Sequence, residues 1–548
     1  MHKKQKFSSY EEFVSNFKID VPENFNFAFD VMDVLAREMP DELAMIHVDD
    51  DKVRREYTYA YFASESAKLA NALVKEGLKK GDRVMVILYR RVEFWVTVLA
   101  LHKIGAVAVP SPSLLTAKDI EFRVNFAKIK AVIVDESIVS RIEEIKSVTP
   151  SLDVFIVAGA KPNAQWKTLE ELIQGASSNF NPRSKPGGKD KLFIFFSSGT
   201  TGLPKMITHN HTYPFGHVIT GFYWHDLEPG DIHLTVADTG WAKAIWGKFY
   251  GQWMARATVF VYDFRGKFNP GDLLEVISEH RVTTFCAPPT VYRFLVREDL
   301  SKYDLKALRH CTTAGELLND SVFEDWKRAL GIPIYEGYGQ TETVLQIATF
   351  PFMEPKPGSI GKPSPGWDIV LLNEEGEEVL PGDEGEICVR VDKNRPVGLF
   401  EGYLDEPERT AKVFKNGFYC TGDKAWMDED GYFWFLGRVD DLIKSSGYRI
   451  GPFEVESALI THPAVVEAAV TGVPDPVRGQ AVKASIVLAD GYEPSEQLTK
   501  DIQNHVKRVT APYKYPRIIE YVKELPKTIS GKIKRAEIRA KDMEKYQK

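Results

Sequence analysis

Leu192-Phe193-Ile194-Phe195-Phe196 runs directly into Ser197-Ser198-Gly199-Thr200-Thr201-Gly202-Leu203-Pro204-Lys205. The first five residues are apolar, three of them aromatic, and read as a buried strand. The nine that follow hold hydroxyls and glycines and end on a cation. Such a loop can wrap backbone N–H and side-chain O–H donors around phosphate oxygens. Lys205 adds a point charge for the same oxygens. It is not a Walker A loop, because the G-x-x-x-x-G-K-[ST] spacing fails and Pro204 precedes the lysine. A Ser/Thr/Gly surface loop has a similar composition. The strand before it and the lysine at its end separate the two readings.

On either side of this strand, short apolar runs alternate with longer amphipathic ones. Arg83–Leu88, Ala106–Val109, Ala131–Asp135, Thr258–Tyr262 and Val282–Cys286 read as strands, and Val92–Ile104 as a helix. The alternation predicts an α/β fold with doubly wound, largely parallel sheets in a large N-terminal domain, residues 1–438. After Phe350, Gly and Pro become dense and short strands replace helices (Asp368–Leu372, Glu386–Val391, Tyr432–Leu436), which predicts a small β-rich subdomain over about 351–438. From Val439 the texture changes again. Pro452–His462 and the apolar stripe Leu498, Ile502, Val506, Val509 predict helices, and Val482–Leu488 and Arg517–Val522 predict strands. Residues 439–548 are therefore expected to form a separate α+β domain.

Composition narrows the function classes. The chain has 548 residues, 44% hydrophobic and 27% charged, with a net charge of −7. Acids and bases are spread along it, so no nucleic-acid footprint is seen. No apolar run reaches the ~20 residues that span a bilayer, and the charged N-terminus lacks the apolar stretch of a secretory signal. A cytoplasmic protein is expected; an organelle matrix fits as well. Cys286, Cys311, Cys388 and Cys420 stand alone in sequence, with no CxxC pair. Four small buried or half-buried residues, rather than a zinc site or a disulfide framework, are expected.

Five further motifs follow the loop in order. They are Thr312-Thr313-Ala314-Gly315-Glu316, Gly337-Tyr338-Gly339-Gln340-Thr341-Glu342, Tyr419-Cys420-Thr421-Gly422-Asp423, Gly437-Arg438-Val439-Asp440-Asp441 with Ser446-Gly447-Tyr448-Arg449-Ile450, and Pro526-Lys527-Thr528-Ile529-Ser530-Gly531-Lys532. Together with Ser197–Lys205 they resemble the signatures of the adenylate-forming superfamily of acyl-CoA synthetases, luciferases and nonribosomal adenylation domains.

The resemblance implies a site for ATP and Mg2+ built from Ser197, Ser198, Gly199, Thr200, Thr201, Gly202, Lys205, Gly315, Glu316, Glu336, Gly337, Gly339, Gln340 and Thr341. Within it, Tyr338 is implied to lie against the adenine, an aromatic face for an aromatic base. Glu342 is the implied magnesium ligand, assisted by Thr200; a hard cation takes carboxylate oxygen. Asp423 would accept from the ribose hydroxyls, since an ionised carboxyl only accepts. Arg438 and Arg449 are implied near phosphate or ribose. Lys532 is the implied catalytic cation, bridging carboxylate and α-phosphate as charge builds on both. The resemblance further implies that the C-terminal domain turns about a hinge at Asp440, withdrawing Lys532 and bringing Ser446–Arg449 to the site. Gly447 would then line the tunnel for the pantetheine arm of coenzyme A.

The chain resembles the medium-chain acyl-CoA synthetases most closely. This implies coenzyme A contacts from Ser446, Gly447, Tyr448, Arg478, Lys507, Tyr515 and Arg517. For the acid, a tryptophan stands directly after the adenine-stacking aromatic in acetyl-CoA synthetases. Gly339 takes that place here and is expected to deepen the pocket, with Trp241 as another wall. Medium-chain, branched or small aromatic acids are expected as substrates. Lys243 departs from the apolar residue expected beside Trp241; it could reach solvent, coenzyme A or a polar group on the acid. An acyl-AMP ligase serving a carrier protein and a non-catalytic nucleotide-binding protein are the alternatives. The intact Lys532, Glu342 and Asp423 weigh against the second.

Overall fold

The computed structural model describes residues 3–197, 204–446, 448–527 and 532–546. Runs of β-branched and aromatic residues become the central strands of two large sheets. In the first, of nine strands, Ile334–Tyr338, His310–Ala314, Thr284–Cys286, Ile232–Thr235, Thr258–Asp263 and Leu43–Asp49 lie side by side and parallel. In the second, of eight, Lys191–Ser197, Val107–Pro110, Arg83–Ile87, Ala131–Asp135, Val154–Ala158 and Lys167–Thr168 do the same. Antiparallel strands close the edges. Parallel strands are covered on both faces, which is why Ala131–Asp135 and Val154–Ala158 are buried along their whole length.

The two sheets share a helical layer. Eleven of the thirteen residues of the helix Val92–Ile104 are buried. A helix apolar all round belongs in an interior. This one shares a core with Met45, Val259 and Val261 of the first sheet and Val84, Ile133 and Phe193 of the second. Gly105 ends it at φ 73°, the left-handed stop that glycine adopts freely. The outer faces carry separate cores. Leu273, Tyr292 and Trp326 cover the first sheet, and Ile120, Val124 and Ile142 the second. Each sheet is thus wound on both faces.

A smaller antiparallel sheet follows, made of Ile369–Leu372, Glu384–Arg390, Phe414–Lys415, Phe418–Met427 and Phe433–Arg438. Two short strands from the same stretch, Lys362–Pro363 and Gly402–Tyr403, instead complete the edges of the large sheets. The last sheet contains Ile443–Ser445, Tyr448–Ile450, Val465–Asp475, Gly479–Leu488 and Ile518–Tyr521, covered by the helices Pro452–Ile460, Glu496–Val509 and Arg535–Tyr546. The fold is α/β, with a large N-terminal part and a separate, smaller C-terminal one.

The expectation of four solitary cysteines is corrected here. All four are buried and unbridged. Cys388 and Cys420, however, face each other across paired strands, with Sγ atoms 3.0 Å apart. Antiparallel register places residues far apart in sequence side by side, which no local spacing reveals. The Cys388 thiol donates to the Cys420 sulfur, so Cys388 holds its proton well above the ordinary range and Cys420 lies below it. Glu386 lies close by, its carboxylate oxygen within 4.8 Å of both sulfurs.

Candidate active site

Open α/β sheets bind ligands beyond the carboxyl ends of their strands. Three neighbouring parallel strands of the first sheet bring Cys286, Ala314-Gly315-Glu316 and Tyr338-Gly339 to one such edge. In the second sheet Ser197 pairs with Lys205 across antiparallel strands. The strands on either side of the phosphate-type segment are therefore antiparallel neighbours, unlike the strand and helix that flank a Walker loop. Ser198, Gly199, Thr200, Thr201 and Gly202 lie outside the described residues.

Lys205 meets Glu342. Its Nζ is 3.3 Å from Glu342 Oε1 and 3.2 Å from the Tyr403 hydroxyl, which itself donates to the same Oε1 at 3.0 Å. Oε2 of this buried carboxylate accepts from none of the described residues. His209, two turns of the pleat beyond Lys205, donates from Nε2 to the Thr341 carbonyl at 2.8 Å. Burial pushes its pKa down to about 4, so a neutral ring holds the Thr341-Glu342 turn.

A second knot forms around Asp423. The Tyr338 hydroxyl donates to its Oδ2 at 2.6 Å, Gln340 Nε2 donates to the same oxygen at 2.5 Å, and Arg438 lies 3.2 Å from Oδ1. Tyr419 donates to Gln340 Oε1 at 2.8 Å. Burial, and then the Asp423 charge, raise the Tyr338 phenol well above its usual value. Glu336 works at the back of the same strand: its Oε2 accepts the Leu318 N–H at 3.1 Å, which pins the segment after Gly315-Glu316. Glu316 itself accepts from Thr290 at 3.0 Å. Gly337 admits no side chain, since a Cβ there would sit 2.7 Å from both Leu345 and Trp224.

The helix Ala242–Lys248 faces this edge, with Trp241 at its start. Lys243 Nζ donates to the Ala314 carbonyl at 2.6 Å. The opening that Gly339 leaves is taken up by Trp246, whose Cη2 would lie 2.5 Å from a Cβ at that position, and by the Val344 carbonyl. Trp246, Tyr403, Tyr419 and His209 were missed by sequence reasoning. Tyr419 opens a recognised motif but was given no role, the other three sit in none, and the hydrogen bonds of Tyr403, Tyr419 and His209 span 61 to 132 residues of chain.

From the C-terminal part, Lys532 comes close enough for its charge to act on Lys243. Thr528–Gly531 and Gly447 lie outside the described residues, and the Arg449 side chain is likewise undescribed. Asp440 follows Arg438, whose Nε is 3.8 Å from Asp440 Oδ1. Arg539 donates to the Asp440 carbonyl at 2.6 Å and to Asp441. The residues expected at coenzyme A fall into two groups. Lys507 and Arg517 both sit over the Tyr515 ring, at 4.1 and 4.7 Å. Ser446 donates its N–H to the Arg478 carbonyl at 2.9 Å, and Tyr448 stacks on Tyr513 at 4.1 Å.

Residues 32–404 match the AMP-binding enzyme family, and 454–532 match the AMP-binding enzyme C-terminal domain. The chain belongs to this family. It is 43% identical over 547 residues to the mitochondrial acyl-coenzyme A synthetase ACSM3 of Mus musculus, covering 98% of this chain and 94% of that one. It is 44% identical to ACSM5 of Homo sapiens, covering 95% and 91%. Among solved structures, the anthranilate CoA ligase AuaEII in complex with anthranoyl-AMP is similar, with a TM-score of 0.86 and 32% identity, covering 95% and 98%. This member of the AMP-binding enzymes is an acyl-CoA synthetase, an AMP-forming acid–thiol ligase. Among the described residues no helix is long and apolar enough to cross a membrane.

Proposed function

We propose that this ligase activates medium-chain, branched or small aromatic acids with the residue roles set out next. ATP lies along the shared edge of the two sheets, its adenine against Tyr338 and its ribose hydroxyls on Asp423. Its phosphates lie in the Ser197–Lys205 segment. What supports this is that motif residues 137 and 85 positions apart meet in two hydrogen-bonded knots, Lys205–Glu342–Tyr403 and Tyr338–Asp423–Arg438. Glu342 suits Mg2+: it is a buried carboxylate with one oxygen engaged by Lys205 and Tyr403 and the other unclaimed by described residues. Held by Glu342, the ion would supply positive charge to offset that of the phosphates.

Lys532 assists attack of the acid's carboxylate on the α-phosphorus, releasing pyrophosphate. The lobe 439–548 then turns about Asp440 against the body 1–438, and coenzyme A enters past Ser446, Gly447 and Tyr448, its phosphates on Arg478, Lys507 and Arg517. Its thiol attacks the acyl carbonyl and AMP leaves. The nearness of the Lys532 charge to Lys243 favours reading the described arrangement as the adenylate-forming one. The cytoplasm or an organelle matrix would house this chemistry, and the relatives named mitochondrial favour the latter.

Separate half-reactions test the division of labour. Lys532→Ala is expected to slow adenylate formation by about 100-fold or more, read as acid-dependent ATP–pyrophosphate exchange. Thioester formation from supplied acyl-AMP and coenzyme A should stay within a few-fold of wild type. Equal loss of both would reject the assignment.

A further inference from the structure

The geometry points to Lys243 as the group that recognises a second oxygen on the acyl chain, so that preferred acids carry a carbonyl, hydroxyl or carboxylate oxygen a few carbons beyond the carboxyl being activated. This rests on the ligase reading above and names the substrate class of the same site.

An ammonium has three donors and no acceptor. Lys243 uses one of them on the Ala314 carbonyl, 2.6 Å away. Among the described residues it reaches no other acceptor. The carboxylate in the neighbouring loop, Glu316, is engaged by Thr290 at 3.0 Å and lies 3.7 Å from Arg293. The Lys243 side chain is half-buried, and its surroundings penalise the charge. Burial comes first in lowering its pKa and the Lys532 cation adds to it, while Cys286 and Glu316 act in the opposite direction. A cation held in such a place, with the Glu316 carboxylate hydrogen-bonded to Thr290, is costly, and an incoming acceptor would offset that cost.

Its placement limits where that acceptor can be. Nζ lies 3.9 Å from where a Cβ would stand on Gly315, whose φ of +103° suits only glycine. Lys243 is thus beside the strand end to which Lys532 comes. Trp246 follows three residues later on the same helix face, about 4.5 Å further along the axis. Its ring closes against Gly339. An acid entering with its carboxyl near Lys532 would pass an ammonium and then meet an indole wall. That sequence of surfaces favours a short chain with an oxygen partway along it over a long plain alkyl chain. The competing reading is a lysine that braces the Ala314 carbonyl and is otherwise hydrated.

The test uses the full chain with ATP, magnesium and coenzyme A, comparing hexanoate with 5-oxohexanoate, 5-hydroxyhexanoate and adipate. In wild type, kcat/KM for at least one oxygenated acid should exceed that for hexanoate by about tenfold or more. In Lys243→Met that ratio should fall by about tenfold, and Lys243→Arg should retain part of it. An oxygenated-to-plain ratio that is the same in wild type and Lys243→Met overturns the proposal, as does a wild-type preference for hexanoate. If Lys243→Met does not fold, Lys243→Gln carries the same comparison. Failure of every acid to give AMP release dependent on coenzyme A would reject the ligase reading and this inference with it. Turnover of hexanoate with an unaltered ratio rejects the Lys243 role alone.

Discussion

Glu336 stands just before the motif that carries Tyr338 and Glu342, yet its carboxyl is buried away from water. Burial, with Asp320 adding to it, raises its pKa from 4.5 to about 8. Between those two values the folded state holds a proton that the unfolded chain has lost. Stability from this group is therefore complete below about pH 4.5 and is lost as pH rises towards 8. Glu336→Gln keeps the carbonyl that accepts the Leu318 N–H but cannot ionise. In urea unfolding, wild type should lose ground to this variant by up to about 1.4 kcal/mol per pH unit across that window. A difference between the two proteins that is flat with pH would mean an ordinary, solvated carboxylate. The motif that follows Glu336 was legible in sequence because its six residues, Gly337 to Glu342, stand in a fixed order. The protonation of Glu336 was not, because burial is set by the folded chain and is modified by partners from another segment, the Asp320 charge adding to it and the Leu318 N–H opposing it.

Elements were legible wherever a single local rule decides them. The helix Val92–Ile104 is found to the residue because its apolar run meets a glycine that must turn left-handed. The buried parallel strands announce themselves as unbroken apolar runs. The helix Arg535–Tyr546 was invisible: its sequence is charged on most sides, and Ile538 is its one buried apolar residue. Alternation of strands and helices also cannot say which strands share a sheet, so two sheets around one helical layer emerged only in three dimensions. The contact between Trp246 and Gly339 belongs to this class. It predicts that Gly339→Ala overpacks the junction, costing about 1–3 kcal/mol in thermal unfolding and weakening acid binding. Adding Trp246→Ala should recover part of the loss, because the Val344 carbonyl still crowds the new methyl. No penalty for Gly339→Ala, or full additivity of the two changes, would show that the indole does not fill that space.

For the molecule as a whole, the question is what holds the C-terminal lobe where it stands. Phe453 packs, half-buried, on the small sheet beside Phe433 and Tyr338. Gly451 lies against the Leu436 carbonyl, and the Val439 N–H reaches the Gly422 carbonyl at 3.0 Å. An apolar seat this small suits a lobe that must leave it, since large hydrophobic interfaces fix domains in place. On the two-position reading, Phe453 touches the body in the adenylate-forming position and gives up that contact when the lobe turns. Phe453→Ala would then remove about 1 kcal/mol from one position alone and shift the balance between the two by about fivefold. Acid-dependent pyrophosphate exchange should fall by that factor. Thioester formation from supplied acyl-AMP should hold steady or rise, because the competing position has been emptied. The sign of the two changes is what matters: a loss shared by both half-reactions would mean that Phe453 supports the fold of the lobe and not its position.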